Sequence, residues 1–151
     1  MTTFKSRLRD DLTAAIKARD ELRSGTLRMT LAAISKEEVS GKTARELSDE
    51  EVQKVIAREA KKRREAAEAF DQGGRAESAR RERAEGELLA EYLPKPLTDE
   101  ELDGLVAEAV TESGAEGPRA MGAVMKIVNP KVAGRADGGR VAAAVKKALQ
   151  G

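Results

Sequence analysis

The chain has 151 residues, of which 40% are hydrophobic, 36% charged and only 2% aromatic, and its formal net charge is +1. It contains no Cys and no His, which excludes disulfides and thiolate chemistry and removes the commonest general base and metal ligand. Its core must come from Leu, Val, Ile, Ala and Met, a set that suits helix-on-helix packing better than a sheet.

Phe4, Leu8, Leu12 and Ile16 recur at i+4 and predict an amphipathic first helix. Asp20 is a cap for a second helix carrying Leu27, Leu31 and Ile34, which Ser40-Gly41-Lys42 stops. Ser48-Asp49-Glu50-Glu51 reads as a capping box. It opens a third helix, with Val52, Val55, Ile56, Ala60, Ala67 and Phe70 inward, which Gly73-Gly74 breaks. Run from Asp49 to Phe70, that helix is roughly 33 Å long. A fourth ends in Leu88, Leu89, Tyr92 and Leu93.

Pro94-Lys95-Pro96 cannot lie inside a helix and predicts a stiff extended boundary. Thr98-Asp99-Glu100-Glu101 is a second capping box, before a stripe of Leu102, Leu105, Val106, Ala109 and Val110. Gly114 and Gly117-Pro118 separate it from a stripe of Met121, Val124, Met125 and Val128, which Asn129-Pro130 is expected to close. Gly134 to Gly139 reads as a turn with Asp137 as cap, and Val141, Val145, Ala148 and Leu149 form the last stripe. The expectation is an all-α protein: a four-helix N-terminal subdomain over residues 1–93, a Pro-containing linker over 94–97 and a three-helix C-terminal bundle over 98–151. No apolar run approaches the roughly 18 residues of a membrane span, and Met1 to Asp11 lacks the apolar region of a secretion signal. A cytoplasmic location, with no membrane partner, is expected.

Charge is distributed unevenly. Residues 1–93 carry 20 basic and 19 acidic side chains, a net +1. Residues 94–117 carry one basic (Lys95) and seven acidic, a net −6. Residues 118–151 carry seven basic and one acidic (Asp137), a net +6. Either the acidic and basic segments attract each other, or the basic end faces an anionic partner.

No Ser-x-x-Lys, Gly-x-Ser-x-Gly, P-loop or dinucleotide-binding glycine pattern is present. Asp99, Glu100, Glu101 and Asp103 occupy a first helical turn, where acids complement the dipole rather than bind a cation. No catalytic residue, metal ligand or cofactor is expected. Two basic constellations remain as nucleic-acid candidates. One lies on the third helix: Lys54, Arg58, Lys61, Lys62, Arg63 and Arg64, with Lys61, Lys62 and Arg64 as the candidate contacts. Glu65 and Glu68, four residues after Lys61 and Arg64, are expected to pair with part of that charge. The other is Lys126, Lys131, Arg135 and Arg140, around the turn before the last helix, where free amides attract phosphate unless Asp137 caps them. Without stacking aromatics in either patch, binding would be through backbone shape and charge.

The stretches Ala120 to Lys126 and Pro130 to Gly138, followed by Val141 and Val145-Lys146, resemble the GatB/YqeY motif. Glu91-Tyr92-Leu93-Pro94-Lys95-Pro96-Leu97 is similar to the YLPxxL signature of YqeY-like proteins, and Thr26-Leu27-Arg28 and Arg64-Glu65 also fit that family. Ala120 departs from it, since the family usually places an acid before Met-Gly. The resemblance implies motif-structural roles for Met121, Gly122, Met125, Gly134, Asp137 and Gly138. Of these, Gly122 is expected to permit close helix approach, and Gly134 and Gly138 to allow tight turns.

The C-terminal part is also similar to the tail of the B subunit of the glutamine-dependent Asp/Glu-tRNA amidotransferase, a tail that helps hold tRNA. The resemblance therefore implies a non-catalytic tRNA-binding or amidotransferase-related accessory module, with tRNA or a tRNA-modifying or aminoacylation enzyme as partner. The carbon–nitrogen ligase label follows by family association alone; the chain has no ATP or amidase site of its own and could serve that chemistry only beside a partner that has both. The alternative is a protein–protein adaptor, with a groove for a partner helix beside the Pro94–Pro96 hinge.

Overall fold

The computed structural model describes residues 3–150; Met1, Thr2 and Gly151, the ends of the expected domains, lie outside them. The described residues form seven α-helices and no strand: α1 (Phe4–Lys17), α2 (Glu21–Glu38), α3 (Asp49–Gln72), α4 (Ala76–Ala90), α5 (Asp99–Ser113), α6 (Ala120–Val132) and α7 (Gly138–Gln150), with a 3-10 turn at Gly117–Arg119 before α6. The helices group into two compact units, Met1–Leu93 and Pro94–Gly151.

Local chemistry sets most helix starts. Thr3 and Asp20 accept from the backbone N–H of Ser6 and Arg23. Both capping boxes form: Ser48 Oγ accepts from Glu51 N at 3.2 Å while the Glu51 carboxylate accepts from Ser48 N, and Thr98 and Glu101 repeat the exchange at 3.1 Å each way. Arg45 pairs with Glu51 and, as the largest cause, holds its carboxyl down at about 2.

In the first unit Leu8, Leu27, Ile34, Val52, Val55, Ile56, Ala60, Leu89 and Tyr92 share one buried cluster with Leu47. Thr26 and Thr30 are also buried, and their hydroxyls donate to the carbonyls of Leu22 and Thr26 one turn earlier. Ile16 does not join the cluster: it is 48% exposed, and Ala15 is buried in its place. At 100° per residue Ile16 lies about 80° round the helix from Leu8, whereas Ala15 lies within about 20°.

The second unit is built around Leu102, Val106, Ala109, Val124, Val128, Val132, Val141 and Val145, with Met121 and Met125 packed against them. Leu97 is buried in this cluster, its N–H donates to Arg135 O at 2.8 Å, and Arg135 Nε returns a bond to Lys95 O at 2.8 Å.

Several sequence expectations in this unit are corrected. Pro130 does not close α6 but lies inside it. It forfeits one amide bond near the helix end, and the chain turns at Ala133 (φ 48°) and Gly134 (φ 79°), both left-handed. Gly138 has no such backbone and is the first residue of α7. Gly122 is exposed, and a Cβ there would meet nothing within 4 Å, so it mediates no close helix approach. Leu149 and Ala148 are exposed, and Ala144 packs on the core instead.

Candidate nucleic-acid interface

Around the α6–α7 turn the expected anion site is largely filled by the chain itself. Asp137 Oδ1 accepts from Arg140 N at 2.9 Å, and its carbonyl accepts from Val141 N, so the chain's own carboxylate caps α7. The Arg140 guanidinium donates to Leu97 O at 3.0 Å and to Asp99 Oδ1 at 2.9 Å. Arg135 lies 3.8 Å from Glu101. Lys131 Nζ donates to Glu112 at 2.9 Å, which raises its pKa, and stands 4.0 Å from Glu108. The −6 and +6 segments thus meet within this unit, and α5 with its cap region engages three of the four cations predicted here. Lys126 is exposed and has no ion pair among the described residues.

Asp99 and Glu101 are occupied in the same way. Backbone and hydroxyl bonds from Thr98 hold the Glu101 carboxyl below its usual range. Among the described residues no group of three or more acidic side chains is placed to hold a metal ion.

The α3 patch is arranged differently. Successive steps of 100° put Lys54, Arg58, Lys61 and Lys62 within a stripe of about 100° on the outer face, with Arg64 flanking it. Lys54, Lys61 and Arg64 are exposed and form no ion pair among the described residues. Lys62 reaches Glu59 at 3.8 Å, and Arg58 reaches Glu37 on α2 at 3.4 Å. The expected Lys61–Glu65 and Arg64–Glu68 pairs do not form. In both, the cation precedes the acid, the weaker orientation on a helix.

Arg63 does not belong to this patch. It sits half a turn from Lys54, its side chain only 15% exposed, between Glu82 at 3.6 Å and Glu85 at 3.5 Å on α4. The helical period in the sequence already separates it from its neighbours. Arg63 Nε and Glu82 Oε2 are buried without hydrogen-bond partners, so the contacts to Glu82 and Glu85 are ionic, while the Arg63 guanidinium donates to Met29 Sδ at 3.6 Å.

A third polar assembly was not among the sequence-derived candidates. In the first unit the Tyr92 hydroxyl donates to Asp11 Oδ2 at 2.5 Å, the Arg7 guanidinium lies 4.9 Å over the Tyr92 ring, and Arg23 forms a two-point pair with Glu91 at 3.0 and 3.4 Å. Burial and the hydrogen bond to Asp11 push the Tyr92 phenol up to about 12. Only Glu91 and Tyr92 had a sequence signal, as part of the linker signature.

Residues 5–149 match the family described as Yqey-like protein. The chain belongs to the YqeY-like family. No curated protein matches it. In this YqeY-like chain the signature residues part company: Glu91 and Tyr92 belong to the first unit's polar assembly, whereas Lys95 and Leu97 are hydrogen-bonded to Arg135 and Arg140 in the second. Of the C-terminal motif residues, Met121 and Met125 pack on the core, Gly134 supplies left-handed backbone and Asp137 caps α7.

Proposed function

We propose that this YqeY-like chain is a non-catalytic accessory module that holds the phosphate backbone of structured RNA, with tRNA as the expected class. The observation that carries this reading is the outer face of α3, where Lys54, Lys61 and Arg64 are exposed and unpaired among the described residues and Lys62 is only loosely engaged. Lys126 and the ion-paired Lys131, Arg135 and Arg140 are secondary contacts, available once a polyanion competes with α5. Exposed ion pairs contribute about 0–1 kcal/mol each, so that competition is feasible. In this reading residues 1–93 and 98–151 act as separate subdomains joined at 94–97, the protein is cytoplasmic, and any carbon–nitrogen ligase chemistry belongs to a partner supplying the ATP and amidase sites.

The test is fluorescence-anisotropy titration of total tRNA at 50 and 200 mM salt, with duplex DNA as control. Four phosphate contacts predict an affinity loss of about 100-fold between those concentrations. Binding no tighter than to DNA, or insensitive to salt, overturns the reading. A protein–protein adaptor is the second reading, favoured by Met29 and Val39, large apolar side chains exposed on and just after α2. A specific partner retained after nuclease and high salt would support it.

A further inference from the structure

The RNA reading leaves Glu91 and Tyr92 of the linker signature unused. Their side chains help to line an open surface pocket of about 340 Å³ in the first unit, bordered by α1, the start of α2 and the segment after α4. That volume is at the small end of ligand pockets.

Both Glu91 oxygens face Arg23, and Asp20 is committed to the Arg23 amide at 3.0 Å and to its Nε at 3.7 Å. One Asp11 oxygen takes the Tyr92 hydroxyl. Two groups remain uncommitted among the described residues: the second Asp11 oxygen and the whole Arg7 guanidinium, fixed over the Tyr92 ring. Arg7 and Asp11 are one turn apart on α1, with Cβ atoms about 6 Å apart, and they form no ion pair with each other. A free cation and a free carboxylate oxygen thus stand side by side beside the methyl groups of Ala14 and Ala18. The lining carries two cations and three carboxylates, a net −1, which works against a simple anion. A molecule with one charge of each sign meets no such penalty.

We propose that this pocket binds a small zwitterion of the α-amino-acid class, its carboxylate on the Arg7 guanidinium and its ammonium on Asp11. The proposal is independent of RNA binding. Planar two-point bonding suits Arg7 to a carboxylate, and the small side chains of Ala14 and Ala18 leave room for an aliphatic substituent.

Tyr92 is the only tyrosine and there is no tryptophan, so intrinsic emission reports this pocket alone. The full chain is titrated with L-alanine, with propionate and ethylamine as single-charge controls. The expected result is a saturable change in emission with L-alanine in the millimolar range or below, and binding of either control at least about tenfold weaker. Arg7→Gln should weaken L-alanine binding by about tenfold or more. Ala14→Leu, a pocket-filling change at an exposed helix position, should abolish it with an unchanged far-UV circular dichroism spectrum. Propionate binding as well as L-alanine would make this a simple anion site and overturn the proposal. So would unaltered binding in either variant, or no L-alanine response in either emission or ligand-detected NMR.

Discussion

Tyr92 donates its hydroxyl proton to Asp11 across 81 residues of sequence, at 2.5 Å. The bond fastens the end of the first unit back onto its first helix, with the ring among the core residues. Hydrogen bonds to charged groups contribute about 1.5–3 kcal/mol, and the partial exposure of Asp11 places this one at the lower end. Tyr92→Phe should therefore cost about 1.5 kcal/mol in urea unfolding, with the helical spectrum unchanged. A loss below about 0.3 kcal/mol would show that water replaces the phenol freely.

The same tyrosine makes a spectroscopic prediction. Its phenol is raised from 10.0 to about 12, so the folded state favours the neutral form. The contribution to stability is complete below pH 10 and declines as pH rises from 10 to about 12, because the unfolded chain releases the proton first. The 295 nm absorbance of the native protein should titrate near pH 12 and that of the urea-unfolded chain near 10. Equal midpoints would sink the assignment.

Gly122 has open space around its missing Cβ and lies on the exposed side of α6. Gly122→Ala should stabilise the protein by about 0.5–1 kcal/mol, since Ala restricts the unfolded chain and favours helix. Destabilisation would reinstate the close-approach role that its place in the motif implies.

Two triple variants separate the basic surfaces. Neutralising Lys54, Lys61 and Arg64 to Gln should leave stability within about 0.5 kcal/mol and reduce the salt slope of RNA binding by about 3. Neutralising Lys131, Arg135 and Arg140 removes ion pairs with Glu112, Glu101 and Asp99. It should lower the urea midpoint of the protein and weaken RNA less. The reverse pattern in RNA binding would move the interface to the α6–α7 turn.

What the sequence made legible is what local chemistry decides. Ser48 with Glu51 and Thr98 with Glu101 needed only three-residue spacing, and the inward stripes of α3, α5 and α6 needed only the helical period. The errors came where the environment decides. Pro130 reads as a stop, but near a helix end it removes only one bond. Ile16 has the right hydrophobicity at an angle that drifts off the core. The place of Gly122 in the motif implies a packing role, whereas nothing packs there. The exposed α3 cations follow from the period alone; Arg63, read from the sequence as one of their constellation, turns by that same period toward Glu82 and Glu85 and is corrected by the structure. The pairing of Lys131, Arg135 and Arg140 with α5 depends on how the second unit closes, as the Tyr92–Asp11 contact depends on the first.

The reciprocal bonds between Arg135 and the Lys95–Leu97 segment bear on how the chain can be cut. A C-terminal fragment starting at Thr98 would lose a buried leucine and the carbonyls that receive Arg135 and Arg140. One starting at Pro94 would keep all three. Limited proteolysis should accordingly release a resistant piece that begins no later than Lys95, and expression trials of the isolated half should be designed to that boundary.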